Sequence, residues 1–332
     1  MNSRKRGKRA EMLLEILKKR SRKGLEFAKK AILTEKIECK KLSGALEYYT
    51  LNWTEFTHPG LFSIACEAAG GNPDKAAQVQ AALCMMAAAF DIHDDIVDES
   101  NVKQGKPTVF GKFGKDIALL LGNAFLIKGF TLLSKSLGKL TQEKTEEILE
   151  TLKKSLFELG NAHALELDMK GRIDTVPEEY MQILKMKAAS VEADMRIGAI
   201  IGGGTDTEVY ALTKYGRILG ILATLREEFI DVFEIEELQQ RMRNECLPIP
   251  VLYALQDEGS RKRIRKLLAK KQITSRDVDE LLDVVLEARG VRKLKKMMKS
   301  LVEESFRLIS EIKDYNLRTL LKDLTVSTLE DL

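Results

Sequence analysis

Apolar residues recur three and four positions apart over most of the chain, the spacing that places them on one face of an α-helix. No stretch alternates apolar and polar residues as a half-buried strand would. Glycine and proline fall between the periodic segments, as in residues 70–73 and 248–250, and mark loops. We therefore predict an all-α fold, with helices within residues 74–100, 116–137, 142–171, 178–202 and 207–234.

The composition predicts one globular domain preceded by a basic segment. The chain has 332 residues, of which 44% are apolar and 31% charged, a balance too apolar for a disordered protein. No repeat or change of composition divides residues 29–332, so we predict a single large helical domain there. Residues 1–28 are predicted to form a basic N-terminal helical extension.

Two interpretations of this extension stay open. The basic residues flank an apolar face formed by Met12, Leu13, Ile16 and Leu17. Such a helix is typical of peripheral contact with an anionic membrane surface, but a solvated basic helix has the same pattern.

Charge and cysteine content narrow the class of protein. The net charge of +4 argues against a dedicated nucleic-acid binder. The four cysteines are too scattered for a metal site or a disulfide framework. No run approaches the roughly 18 uncharged apolar residues of a membrane helix, and no signal peptide is recognisable. We expect a soluble cytoplasmic protein.

Four aspartates form the most informative pattern in the chain. Asp91, Asp94, Asp95 and Asp98 are spaced i, i+3, i+4 and i+7, which places them on one face of a helix. No lysine or arginine lies between them to offset their mutual repulsion. Carboxylates are the oxygen ligands that Mg²⁺ shares with substrate phosphates. We predict a site where Mg²⁺ binds a diphosphate.

A second acidic group lies about 130 residues later along the chain. Glu227, Glu228 and Asp231 are spaced so that they also share one helical face. Alone this group would be unremarkable, because acidic pairs are common on surface helices. With the first group it predicts two acidic walls that face each other across a cavity and hold metal ions for a diphosphate leaving group.

These residues resemble the motifs of the trans-isoprenyl (polyprenyl) diphosphate synthase family. Asp94-Asp95-Ile96-Val97-Asp98 resembles its first DDxxD motif, and residues 227–231 resemble its second. The resemblance implies an all-α bundle around a central cavity, assembled as a homodimer or as a heterodimer with a related synthase. It also implies Mg²⁺-assisted ionisation of an allylic prenyl diphosphate, followed by condensation with isopentenyl diphosphate.

The resemblance also implies a role for each candidate site residue. Asp94, Asp95 and Asp98 would bind metal and be catalytic. Lys187 would also be catalytic, because it would contact the allylic diphosphate. Glu227, Glu228 and Asp231 would hold a further metal ion. The candidate substrate-binding residues are Lys103, His58, Lys187 and Arg226, and Phe90 and Ala89 would form the floor that limits product length.

Departures from the family pattern leave three functions open. Glu227 and Glu228 replace the two leading aspartates of the second motif, and Lys103-Gln104-Gly105 replaces two arginines before a glycine. Fewer cations would weaken binding of isopentenyl diphosphate. The chain is therefore a prenyltransferase, a terpene-synthase-like lyase that needs no isopentenyl diphosphate, or a weakly active or inactive subunit of a heteromeric synthase.

Overall fold

The computed structural model describes residues 8–103, 105–172, 174–270 and 273–330. They form two compact units. The first consists of the chain up to Leu152 together with Asp194–Leu212, and the second of Lys153–Ala193 together with the chain from Thr213 onward. The division of the chain at residue 28 and the central cavity stay predictions.

The first unit contains the N-terminal helices and a small hairpin. The elements up to α10 are α1 Lys8–Leu33, α2 Lys40–Asn52, α3 Thr57–Ala68, a 3₁₀ turn Pro73–Ala76, α4 Ala77–Val97, β1 Val102–Lys103, β2 Lys106–Pro107, α5 Val109–Phe113, α6 Lys115–Leu137, α7 Gln142–Asp168, α8 Pro177–Lys187, α9 Ala189–Gly202 and α10 Asp206–Phe233. Of these, α8 belongs to the second unit, and α7, α9 and α10 contribute residues to both units.

The second unit is completed by six further helices. They are α11 Ile235–Asn244, α12 Ile249–Gln256, α13 Glu258–Leu268, α14 Ser275–Glu287, α15 Arg289–Leu308 and α16 Tyr315–Ser327. The apolar sides of α8, α10, α12, α14 and α15 form its core. In α15, Val291, Leu294, Met298 and Val302 are buried, which leaves the basic positions of this helix on the outside.

The predicted all-α fold is confirmed, with two differences of detail. The segment predicted as one helix over residues 178–202 is interrupted at Ala188, the single residue between the end of α8 and the start of α9. In the loop after α4, Val102–Lys103 pairs with Lys106–Pro107 as an antiparallel hairpin. Strands this short carry too few residues to show alternation.

Helix α1 is part of the first unit. Leu13, Leu17 and Leu25 are buried, and α1 packs against α3 and α4. The predicted boundary at residue 28 falls inside this helix. Two of the four residues of the predicted apolar face, Leu13 and Leu17, are buried in the protein. Residues 1–7, which carry part of the basic charge, lie outside the described residues.

Helix α6 packs along α4, which carries the first acidic group. Gly129 allows this approach, because a Cβ there would lie 2.9 Å from Cγ of Met86 on α4. Within the described part of the chain, α6 is the one helix long and apolar enough to cross a membrane by length and composition. Counting uncharged runs missed it because Lys128 interrupts the apolar sequence.

Candidate functional site

The first acidic group lies at the C-terminal end of α4. The helix ends at Val97, and the N–H of Asp98 still bonds to the carbonyl of Asp94. Glu99 then adopts a left-handed backbone conformation with φ 55°, which turns the chain away from the helix axis. Thr108 anchors the returning strand, since its hydroxyl donates to the carbonyl of Ser100 at 2.7 Å. The hairpin is thereby held beside the aspartates.

Lys103 on this hairpin is the counter-ion of the first acidic group. Its Nζ lies 2.7 Å from Oδ1 of Asp95, 3.3 Å from Oδ1 of Asp91 and 3.9 Å from Oδ2 of Asp94. The aspartates differ in exposure, from 7% for the Asp95 side chain to 53% for that of Asp91. The chain thus supplies, from the element that follows α4, a lysine that offsets the charges of these aspartates.

Burial and the neighbouring charges shift the pKa of both partners. Burial raises the pKa of Asp95 to about 6, although the charge of Lys103 works against this. Burial alone would lower the pKa of Lys103, but Asp91, Asp95 and Asp94 raise it well above its ordinary value. Lys103 is therefore a permanent cation, and Asp95 is harder to ionise than a solvent-exposed aspartate.

The first acidic group fits a divalent ion by the chemistry of its donors. Carboxylate oxygens are the ligands that Mg²⁺ prefers, and the first acidic group presents several of them at the C-terminal end of α4. In the residues that the structure describes, no three His, Cys, Asp or Glu side chains already converge as a metal site. Metal binding would therefore require the aspartates to rearrange around Lys103.

His58, a predicted substrate-binding residue, is paired within the first unit. Its Nδ1 lies 2.5 Å from Oδ2 of Asp194, and the Asp194 side chain is buried. Glu55 accepts the backbone N–H of His58 at 3.0 Å and that of Thr57 at 2.5 Å, at the start of α3. The structure thus gives His58 a partner that sequence analysis did not identify, because Asp194 lies 136 residues away.

This pair predicts a loss of stability at alkaline pH. Burial alone would lower the pKa of His58, but Asp194 outweighs it and, with smaller contributions from Glu55 and Asp91, raises the pKa to about 9. A raised histidine pKa adds stability below the unfolded value of about 6.5, and this is lost as pH rises through about 9. Burial also raises the pKa of Asp194 despite His58, an effect that begins near the ordinary aspartate pKa and is separate from the alkaline loss of stability.

We therefore expect the free energy of unfolding to fall by up to about 3 kcal/mol between about pH 7 and pH 10. Chemical denaturation across this range measures it. His58→Gln is the control, since an amide keeps a donor near Asp194 but does not titrate. An equal pH dependence in the variant would contradict the assignment.

The second acidic group is built around a buried arginine of α11. Both Arg241 and Glu228 are buried, and Nη2 of Arg241 bonds to Oε1 of Glu228. The Tyr180 hydroxyl oxygen lies 3.0 Å from the same carboxylate oxygen. The other oxygen accepts the backbone N–H of Ile249 at 2.8 Å. Both oxygens of Glu228 therefore already have protein donors.

Two further carboxylates and a lysine complete this cluster. Glu166 on α7 forms an ion pair with Lys187 and accepts the Tyr180 hydroxyl at 2.8 Å. Oδ2 of Asp231 lies 3.7 Å from Nε of Arg241. Burial raises the pKa of Asp231 to about 8, although Arg241 lowers it. Lys187 and Asp231, predicted from the motifs, are thus brought together with Arg241 and Tyr180, which sequence analysis missed.

The remaining predicted residues differ in their surroundings. Glu227 is 68% exposed and lies 3.5 Å from Nη1 of Arg226. Ala89 is fully buried in the core of the first unit, whereas Phe90 is half-buried. A cavity of about 330 Å³ in the second unit borders Arg241, Met242 and Glu245 and contains none of the predicted site residues. The roles assigned to the predicted residues stay predictions.

The sequence of this chain is similar to those of known proteins. Residues 39–285 match the profile of the family described as polyprenyl synthetase. The short chain isoprenyl diphosphate synthase of Methanothermobacter thermautotrophicus is 31% identical over 226 residues, covering 68% of each chain. The geranylgeranyl diphosphate synthase of Sulfolobus acidocaldarius is 26% identical over 68% of this chain and 71% of its own.

The fold also resembles solved structures over nearly its whole length. The geranylgeranyl pyrophosphate synthetase of Pyrococcus horikoshii superposes with a TM-score of 0.84, covering 97% of this chain and 99% of the other at 22% identity. A decaprenyl diphosphate synthase of Rhodobacter capsulatus superposes with a TM-score of 0.77 at 19% identity. At these identities the similarity shows a common all-α fold.

Proposed function

Because the chain belongs to the polyprenyl synthetase family and is a prenyltransferase, we propose that it condenses an all-trans allylic prenyl diphosphate with isopentenyl diphosphate, using Mg²⁺ held at the first acidic group. The observation that carries the proposal is the group itself. Asp91, Asp94 and Asp95 surround one lysine at the end of a helix whose preceding turns are buried. This is a concentration of charge that a packed helix does not need for its own stability.

In this proposal Asp94, Asp95 and Asp98 hold the metal. Bound Mg²⁺ supplies positive charge that stabilises the departing diphosphate. Lys103, which contacts the aspartates of the first acidic group, and Lys187, which pairs with Glu166, would each exchange a carboxylate partner for phosphate oxygens. Hard oxygen ligands and ammonium groups are a suitable combination for diphosphate.

We further propose a product of the size made by geranylgeranyl diphosphate synthases. Two observations support this size: the names of several relatives, and the half-buried ring of Phe90 one turn before Asp94. Ala89 would leave room beside that ring.

The four cysteines are free thiols, which supports a reducing, cytoplasmic location.

A product assay tests the reaction. The purified full-length protein is incubated with Mg²⁺ and radiolabelled geranyl or farnesyl diphosphate in two arms, one with and one without isopentenyl diphosphate, and the extracted products are separated by chain length. We expect elongated diphosphates. A hydrocarbon or alcohol formed equally without isopentenyl diphosphate would instead identify a lyase, and no product in either arm would indicate a subunit that needs an active partner.

We also propose that two copies of the chain associate through α6. Its outward side carries exposed apolar residues at helical spacing, among them Leu119, Ile127 and Phe130. An apolar stripe of this kind is typical of an association surface, and its other side is already packed on α4.

The expected result is a dimer that Ile127→Glu converts to a monomer, because a buried charge at the centre of an apolar interface is unpaired. Size-exclusion chromatography with light scattering measures the mass. Leu51→Glu, at an exposed leucine of α2, is the matched control and should leave the mass unchanged. A mass unaffected by Ile127→Glu would contradict this interface.

A further inference from the structure

Arg241 is enclosed by acidic side chains on several sides. Nη2 bonds to Glu228 and to the Tyr180 hydroxyl at 3.0 Å. Nη1 bonds to Oε2 of Glu245 at 2.8 Å and lies 4.0 Å from Glu166. Nε lies 3.7 Å from Asp231. Every nitrogen of the guanidinium therefore faces at least one carboxylate.

The sequence around Arg241 explains why the side chain points inward. Helix α11 is short and strongly amphipathic, with Leu238 fully buried one turn before Arg241. Glu245 follows at i+4 and is within bonding distance of the guanidinium, the spacing at which helical ion pairs form. Arg241 thus occupies a core-facing position, where a charged residue is rare unless it is paired.

The charges of this cluster can be counted from the described residues. Four carboxylates, those of Glu166, Glu228, Asp231 and Glu245, surround Arg241, and Lys187 pairs with the first of them. A planar guanidinium with five fixed donors is well suited to join several carboxylates at once. Arg241 is part of the chain itself, and it supplies positive charge where the second acidic group was predicted to bind a metal ion.

A metal ion at Glu228 would conflict with these contacts. Mg²⁺ requires oxygens at about 2.0–2.1 Å in near-octahedral geometry. The two oxygens of Glu228 accept donors from Arg241 and the Ile249 backbone, and Oε1 also lies 3.0 Å from the Tyr180 hydroxyl oxygen. Binding a metal there would break buried hydrogen bonds and place a divalent cation against a buried guanidinium, at a high electrostatic cost. The second acidic group does not fit the metal in the way that the first does.

We infer that Arg241 is the permanent cation of the second acidic group and that Glu228 anchors it, so that Glu228 positions α11 against α8 and α10 and binds no metal. The inference depends on the proposed function only for the presence of a metal at the first group. Arg241 and Glu228 are then positioning residues, and the metal ions that the reaction uses are bound without Glu228.

Divalent-ion binding tests the inference directly. Mn²⁺ is titrated into the full-length protein with inorganic pyrophosphate, and free Mn²⁺ is measured by electron paramagnetic resonance. We expect Glu228→Gln to leave the number and affinity of bound Mn²⁺ within about twofold of the unmodified protein, whereas Asp94→Asn loses Mn²⁺. Loss of a bound Mn²⁺ in Glu228→Gln would overturn the inference. Retention of all Mn²⁺ in Asp94→Asn would count against the proposed function alone.

Thermal unfolding gives a second readout that does not depend on metal. In the presence of a chelator, Glu228→Gln and Arg241→Met are each expected to lower the unfolding midpoint by about 5–10 °C, because each leaves buried partners unpaired. Glu227→Gln, at the exposed neighbouring position, is the matched control and should shift it by less than about 2 °C. Midpoints of Glu228→Gln and Arg241→Met that equal the control would also overturn the inference.

Discussion

Replacing Asp94 with alanine is expected to lower kcat/KM by about 10²–10⁴-fold, the effect of removing one group that stabilises charge in a transition state. Asp94 lies in the last turn of α4, where its side chain is about one-third exposed. It is 3.9 Å from Lys103, the longest of the three contacts of that lysine with the aspartates. The alanine variant should therefore fold normally and lose activity.

Asp91→Leu is the variant with which Asp94→Ala should be compared. Asp91 lies one turn earlier, is more exposed than Asp94, and is closer to Lys103. We expect a smaller loss of kcat/KM than in Asp94→Ala, because Asp91 is outside the Asp94-Asp95-Asp98 pattern. Steady-state kinetics with farnesyl diphosphate and isopentenyl diphosphate compare the two variants. Equal losses would show that the ligand face is centred one turn earlier than proposed.

Phe125→Ala is expected to lower the free energy of unfolding by about 3–5 kcal/mol, the typical cost of deleting a buried aromatic ring. Phe125 on α6 is fully buried, and its ring meets those of Trp53 and Tyr49 with centroid separations of 5.2 and 5.1 Å in edge-to-face geometry. These contacts join α2 to α6 in the first unit, and edge-to-face pairs add about 0.5–1.5 kcal/mol beyond burial.

The control for this prediction is Leu51→Ala, two residues after Tyr49 on α2. Leu51 is exposed, so its truncation should cost less than about 0.5 kcal/mol. Urea denaturation followed by circular dichroism measures both variants. A cost for Phe125→Ala close to that of Leu51→Ala would mean that the aromatic cluster contributes little to the stability of this unit.

Helical periodicity predicted the fold because it is a local signal. The acidic positions of α4 and α10 could be assigned to helices because their side-chain spacing depends only on residues within two turns. The break at Ala188 was missed because both sides of it continue the same apolar spacing. Periodicity reports which face of a helix is buried, and one non-helical residue between two helices need not alter that pattern.

The ion pairs of the candidate site could not be predicted in the same way. Lys103 reaches Asp95 through a hairpin of two-residue strands, and Arg241 reaches Glu228 from the next helix. Asp194 is 136 residues from His58. Each of these contacts depends on how elements pack, and no spacing rule relates the two partners. The acidic motifs were therefore visible in the sequence, whereas the cations that neutralise them were not.

The position of Lys103 has a consequence for how the protein is handled and how it matures. Since a side chain of the protein already offsets the aspartates, α4 and the hairpin can fold before any ion arrives. Purification in a chelating buffer should therefore yield material that needs only magnesium and substrate to be competent, with no refolding step. A newly synthesised chain would likewise fold independently of the supply of ions in the cell.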